Sequence, residues 1–515
     1  MSKDTKTVDL SMEKYTDIIK KHGLTQKEIE NQLKIFKTGI PFVNIVAPAE
    51  IGTGIEQYLP EEEKKYITVF ENEKNSLDLL KFVPASGAAT RMFKFLHQYL
   101  SEFNLEEDDL DEYINGKDKK DLKRFFDSYE DFAFYDTVIE NLKMKFPDFL
   151  NYDRAKQYYL FVWEMLSESG LDFSHTPKGL IPFHKENHVY RTAFEEQLYE
   201  AAFYAKSKGV SKLHFTVSEE HLAAFRERYN EIIEDLKEEV NSDFEISYSF
   251  QKKKTDTIAA TMENEIFLDD SGSPVFRPGG HGALIENLNE LDADIIFIKN
   301  IDNVIVRDQV PVIAYHKKVL AGRLIELQKQ IFNYLRQLEK EDQDKDILKE
   351  ITRFIHSELK INISSSDSSV LLSILNRPIR VCGVVENTGA PGGGPFLIKD
   401  KNGRESYQIV EKAEIDTSDS RCRELVERAT HFNPVDLVCG VRDYLGNKFD
   451  LSGFSNPESG FISTKSYQGE TIKALERPGL WNGAMAGWIT VFVEVPLITF
   501  NPVKKVVDLL DKAHQ

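Results

Sequence analysis

Residues 79–94 read LLKFVPASGAATRMFK, and the order of parts within that stretch decides the fold. Leu79 to Ala85 is a short apolar run. Small residues and Gly87 follow at once, and helical character sets in near Phe93. Strand, tight turn, then helix is the reading this order imposes. Small residues let backbone N–H groups approach a ligand closely. The helix that follows aims the positive end of its dipole at the same point. Ala85, Ser86 and Gly87 are therefore a candidate anion-binding turn, with Arg91 and Lys94 adding mobile positive charge. The turn is not a GxxxxGK[ST] phosphate loop.

Downstream of Lys178 the same alternation repeats. GLIPF is apolar and bounded by Gly and Pro, and TAFEEQLYEAAFYAK (192–206) is amphipathic at helical spacing. KLHFTVS, FEISYSFQ and ADIIFIKNID read as strands, separated by helices such as EEHLAAFRERYNEIIEDLKEEV and the long run from Val312 to Glu339. Strands alternating with helices of this length predict a Rossmann-like α/β fold, a mixed, mostly parallel sheet flanked by helices. Three divisions are expected. Residues 1–80 form a helical leader with apolar spacing through Ile29, Leu33 and Phe36, followed by a loop, GIPFVNIVAPAEIGTGI. Residues 81–340 form the core, with a solvated helical insertion at about 95–170. Residues 341–515 begin with a charged, peripheral stretch to about 365 and then become β-rich and glycine-rich.

Composition limits the function. The chain has 515 residues, 41% hydrophobic and 29% charged, enough to bury a sizeable core. Its formal net charge of -20 argues against tracking a nucleic-acid backbone, which needs a positive surface. Small phosphorylated ligands stay open, because a few lysines and arginines can converge locally. The 3 cysteines are far apart, without CxxC spacing, and suggest neither a disulfide framework nor a zinc site. The polar N-terminus and the lack of a long apolar run give cytoplasmic as the expected location, with no membrane partner.

Three further segments carry chemistry. TPKGLIPFH places Lys178 just after Pro177 at a strand entrance, where a fixed ammonium acts as a point charge on phosphate. RPGGHGALIENL surrounds His281 with Gly279, Gly280 and Gly282 directly before a helical segment. Glycines there permit flat approach of a base or ribose to the backbone. ADIIFIKNIDNV ends in Asn300, Asp302 and Asn303, and open α/β sheets bind ligands beyond the carboxyl ends of their strands. Asp302 is a hard oxygen ligand suited to Mg²⁺. HKENH (184–188) has i, i+4 histidines but lacks a third ligand, and reads as a loop.

Taken in order, SGAATRM, PKGLIP, SFQ, PGGHG, NIDN and TFNPVKKVVDLL resemble the signature of the sugar-1-phosphate nucleotidyltransferases, especially the UDP-sugar pyrophosphorylase branch. Six short matches in one order across most of the chain are more specific than any one alone. The whole chain also resembles an uncharacterised bacterial family through PASGAATRMFK and LWNGAMAGW. The resemblance implies a nucleotide-diphospho-sugar transferase-like fold. It gives Arg91, Lys178 and Lys504 the reacting phosphates. Gln251, Gly280 and His281 would face the base or ribose, and Asp302 would hold Mg²⁺. Glu386 and Asn387 of VVENTGAPGGGPF, with Asn482 beside Trp481, are candidates for sugar hydroxyls. Two positions depart from the pattern: Ser86 and Ala89 stand where the family has glycines.

The implied reaction joins a nucleoside triphosphate, with UTP favoured, to a sugar 1-phosphate and releases pyrophosphate. Its nucleophile is already anionic, so positioning and charge neutralisation suffice. A glycosyltransferase of similar fold and a non-catalytic nucleotide or sugar-nucleotide binding protein are the alternatives. NIDN supplies one carboxylate where a DxD-type motif would supply two.

Overall fold

The structure is a computed structural model that describes residues 13–515, apart from 88, 187–188, 341–343, 364 and 390–391. His188 of HKENH therefore lies outside the described residues. The chain forms two compact units, each assembled from separate stretches. Unit 1 comprises Met1–Glu73, Phe250–Phe297 and Val319–Pro496; unit 2 comprises Lys74–Ser249, Ile298–Lys318 and Leu497–Gln515.

The fold is mixed α/β, and the main sheet strands of each unit pair mostly in parallel. In unit 2 the buried strand Leu79–Pro84 pairs in parallel with Val210–Thr216, which pairs in parallel with Asp243–Ser249. Short Lys206–Ser207 closes one margin antiparallel. Helix Ala193–Tyr204 starts at a capping box, with Thr192 and Glu195 satisfying each other's backbone N–H groups. It is buried almost all round, because its acids find partners. Arg228 donates to Glu195 at 2.7 Å, and Arg307 Nε donates to Glu196 at 3.2 Å. The insertion is a set of short helices, from Lys94–Glu102 to Arg154–Leu166, with its own aromatic core. Phe125, Phe132, Phe134 and Phe161 are fully buried there, and the Phe125 and Phe132 rings lie 5.0 Å apart.

In unit 1, Ile379–Glu386 pairs in parallel with Ile489–Glu494, which pairs in parallel with Ile55–Glu56. His431–Gly440 joins the other side antiparallel. A second, antiparallel sheet runs Ile45–Pro48, Gly394–Lys399, Glu405–Val410. Helix Gln26–Thr38 buries Ile29 and Phe36 against Ile258, Ala260 and Leu475, as its apolar spacing predicts.

Three expectations are corrected. The stretch from Gly39 to Ile55 holds the strand Ile45–Pro48, which buries both its ends rather than alternating and is flanked by prolines and glycines that read as loop. His184 lies in the strand Pro182–Glu186, which forms a hairpin with Val189–Thr192. The charged stretch after 340 includes helix Lys345–Ser357, which buries Ile351 and Ile355 and so is peripheral on one face only.

Candidate functional site

The phosphate-facing candidates all fall in unit 2. Ala85 follows the strand Leu79–Pro84 and spends its N–H on the Thr216 carbonyl at 2.8 Å. That N–H is not available to an anion, which removes one donor from the expected turn. Ser86 and Gly87 are exposed. A Cβ at Gly87 would meet nothing within 4 Å, so the turn opens to solvent. The Gly87 carbonyl accepts the Lys178 N–H at 3.2 Å, and Thr90 Oγ1 donates to the Ser174 carbonyl at 3.2 Å. The insertion between them thus leaves and returns with both ends together. Gly179 explains why a glycine follows Lys178: a Cβ there would stand 3.1 Å from both Ile301 and Phe225.

Lys178 Nζ donates to Asp302 Oδ2 at 2.5 Å, with side-chain exposures of 15% and 20%. Asp302 itself is positioned from the C-terminal segment. Val503 N–H donates to the Asp302 carbonyl at 3.2 Å, and Asn501 N–H donates to Asn303 Oδ1 at 2.8 Å. These bonds place Lys504 in the field of the same pair. Desolvation lowers the Lys504 pKa, the Asp302 and Asp508 charges oppose that, and the Lys178 charge adds to it. Arg91 ends a short 3-10 turn (Ala89–Arg91) next to Met92, whose carbonyl accepts the Val506 N–H at 3.1 Å. Among the described residues Arg91 forms no ion pair. Lys178, Asp302 and Lys504 are therefore brought together, and Arg91 lies on the element that the segment carrying Lys504 is tied to.

Sequence reasoning missed what holds that C-terminal segment. His514 Nδ1 and His184 Nε2 share a hydrogen bond of 2.9 Å, and His184 Nδ1 lies 2.9 Å from Glu196 Oε1. Burial, helped by His184, drives the His514 pKa down to about 3. A buried imidazole pair of this kind holds only while at least one ring is neutral. HKENH and a terminal AHQ carry no spacing that connects them.

Asp302 was also expected to bind Mg²⁺. Among the described residues no group of three or more histidine, cysteine or carboxylate side chains is placed to hold a metal. One carboxylate beside an ammonium fits a cation whose remaining oxygen ligands come from phosphates and water, which is how Mg²⁺ is commonly bound.

The base and sugar candidates fall in unit 1. Gln251 Nε2 lies 3.5 Å from Asp256 Oδ1. The glycines of PGGHG do permit close approach, but it is the chain itself that approaches. A Cβ at Gly279 would stand 2.5 Å from the Thr255 carbonyl, and at Gly282, 2.0 Å from that of Pro478. Gly280 has φ +76° and would meet Glu476. His281 stacks on Trp481 with ring centroids 4.4 Å apart. Its Nε2 is 3.4 Å from Glu411 Oε1 and has no satisfactory hydrogen-bond partner among the described residues. Asn482 is 3% exposed and donates from Nδ2 to the same Glu411 oxygen at 2.6 Å. Burial works to raise the Glu411 pKa, yet the His281 and Asn482 contacts outweigh it and hold it low. Glu414, one turn on, is pushed up to about 7 by burial, with the Glu411 charge adding. Neither glutamate was singled out from the sequence. Glu386 and Asn387 lie apart from this cluster, exposed at the carboxyl end of Ile379–Glu386. Asn387 Oδ1 caps its own loop by accepting the Gly389 N–H at 2.9 Å.

Comparison with known proteins places the chain. It belongs to the DUF4301 family, a domain of unknown function, whose model matches residues 12–515. No curated protein matches it. The UDP-N-acetylglucosamine pyrophosphorylase of Trypanosoma brucei is similar at 12% identity, covering 94% of this chain and 74% of that one, with a TM-score of 0.46. A UDP-glucose pyrophosphorylase from Leishmania major, solved with UDP-glucose, is similar at 11% identity, covering 96% and 77%, with a TM-score of 0.41. Among the described residues no helix is long and apolar enough to cross a membrane.

Proposed function

We propose that this protein is a nucleotidyltransferase that makes a nucleoside-diphosphate sugar from a nucleoside triphosphate, UTP favoured, and a sugar 1-phosphate. The observation that carries the reading is the gathering of Lys178, Asp302 and Lys504 from three distant motifs that resemble one family's signature. In this reading the sugar-phosphate oxygen attacks the α-phosphorus in line and pyrophosphate leaves. Lys178, Lys504 and Arg91 neutralise charge that builds on the phosphate oxygens as the bond to the leaving group lengthens. Mg²⁺ held by Asp302 and the phosphates would supply further neutralisation. Asp302 also accepts the Lys178 ammonium, so that lysine stands beside the place where the phosphates would bind. Gln251, Gly279, Gly280 and His281 carry the proposal for the base, and Glu386, Asn387 and Asn482 that for the sugar. The exposed Ser86–Gly87 turn offers a phosphate-facing surface with fewer free donors than the family pattern implies.

Purified protein with Mg²⁺, UTP and a panel of sugar 1-phosphates is expected to release pyrophosphate, and to stop when Mg²⁺ is chelated. Absence of release with every nucleotide and sugar phosphate tried would leave the binding-protein alternative in its place.

A further inference from the structure

Unit 1 contains a cavity of about 740 Å³ lined by Asn482 but by neither Glu386 nor Asn387. Its walls come from the hairpin Gly394–Lys399/Glu405–Val410, the end of helix Ser368–Leu375, the loop 453–459 and the segment around Asn482. The two ends of the cavity differ in chemistry.

At one end stand two guanidiniums, Arg377 and Arg404. Arg377 is half-buried and its Nε donates to the Ser373 carbonyl at 2.7 Å. Among the described residues neither arginine forms an ion pair. Burial lowers the Arg377 pKa to about 10, the like charge of Arg404 adds to the shift, and Asp400 opposes it. Asp400 is committed to the hairpin turn: its Oδ1 accepts the N–H groups of Asn402 and Arg404, both at 2.8 Å. Lys399 and Lys401 also line the cavity, but each is engaged, with Glu405 at 3.2 Å and Glu458 at 3.6 Å. Behind the cavity-lining Gln408 stands a further cation, which is not itself part of the wall. Arg380 is fully buried and donates only to neutral acceptors, among them Gln408 Oε1 at 2.9 Å and Thr490 Oγ1 at 2.9 Å. Its claim on the Gln408 oxygen leaves only amide donors on that cavity-lining side chain. Two guanidiniums without an ion pair, lining one cavity and in each other's field, are an arrangement that a dianion relieves.

At the other end stand Asn482 and Glu414. Asn482 is 3% exposed, and its Oδ1 is buried without a hydrogen-bond partner. An orphaned buried acceptor of that kind destabilises the site unless a donor fills it. Ligand hydroxyls are such donors.

We propose that this cavity binds a phosphorylated sugar, with the phosphate between Arg377 and Arg404 and a sugar hydroxyl donating to Asn482 Oδ1. In this arrangement Asn482 serves the cavity, and the acceptor sugar is left to Glu386 and Asn387, neither of which lines it. Arg377 precedes the strand Ile379–Glu386, while Glu386 and Asn387 lie at its other end, on the order of 20 Å along the strand. The bound sugar phosphate is therefore a second ligand of the protein.

The test is calorimetric titration of the full-length protein with glucose 6-phosphate, inorganic phosphate and glucose, with no catalysis required. Saturable binding of glucose 6-phosphate at least 5-fold tighter than phosphate, with none for glucose, is expected. Arg404→Gln, in the hairpin turn, should weaken it at least 10-fold, and Arg377→Gln likewise if its melting curve is unchanged. Lys178→Ala should bind as the wild type does. No binding of glucose 6-phosphate, binding unaffected by Arg404→Gln, or loss of binding in Lys178→Ala would each overturn the proposal. Phosphate binding as tightly as the sugar phosphate would overturn the role of Asn482. None of these outcomes depends on whether pyrophosphate is released.

Discussion

The Lys178–Asp302–Lys504 cluster of unit 2 and the His281–Glu411–Glu414–Asn482 cluster of unit 1 are built on opposite principles. In the first, cations stand around one carboxylate with the side chains partly open, and Gly87 nearby has free space around it. In the second, glycines are consumed by the chain's own packing, and Asn482 and Glu414 are buried while His281 and Glu411 stay partly exposed. The Lys178–Asp302 pair keeps 15% and 20% of its side-chain surface exposed beside the open Gly87 turn, where a ligand can reach it. A cluster with filled glycines and a buried Glu414 carboxyl of raised pKa is tied to the fold first. Mutations should separate the two.

The largest expected effect is in the open cluster. Lys178→Ala should lower pyrophosphate release by about 10²–10³-fold while the midpoint of urea unfolding moves little. A large loss of stability would place Lys178 with the structural groups instead. Next comes Glu414. A carboxyl whose pKa is raised on folding, here to about 7, contributes its stability fully below the unfolded value near 4.5 and loses it as pH rises through 7. Denaturation between pH 5 and 8 should therefore show wild type losing at most about 3 kcal/mol relative to Glu414→Gln. Parallel pH profiles would remove the buried-acid reading.

The paired histidines give the opposite sign. A group with a depressed folded pKa, such as His514 at about 3, contributes stability above its unfolded value near 6.5 and loses it as pH falls. Tail release, followed by hydrogen exchange at residues 497–515, should rise below pH 6.5 and be pH-independent in His514→Phe. The smallest effects compare glycines. Gly280→Ala, at φ +76°, should cost about 1–2 kcal/mol. Gly87→Ala, in open space, should stay within about 0.5 kcal/mol. Equal costs would erase the distinction between the open turn and the packed one.

What was legible in the sequence followed the same division. The alternation of strand and helix, the amphipathic helix at Ile29 and Phe36, and the ordered motifs holding Lys178, Asp302 and Lys504 are local patterns with fixed periods or spacings. The Asn482–Glu411 bond and the His184–His514 bond join residues separated by 71 and 330 positions. Nothing in local spacing encodes such pairings, because tertiary packing alone brings them together. The PGGHG glycines show a subtler limit. Their need for close approach is visible in sequence, but not whether a ligand or the backbone of Pro478 does the approaching.

Steady-state pyrophosphate release by the wild type, Lys178→Ala and Lys504→Ala, side by side at saturating Mg²⁺ and UTP, tests the phosphate cluster most directly. Release by the wild type with a loss of at least about 100-fold in each variant is the predicted result. Equal rates in all three proteins would show that the gathered lysines do not handle the reacting phosphates, and would contradict it.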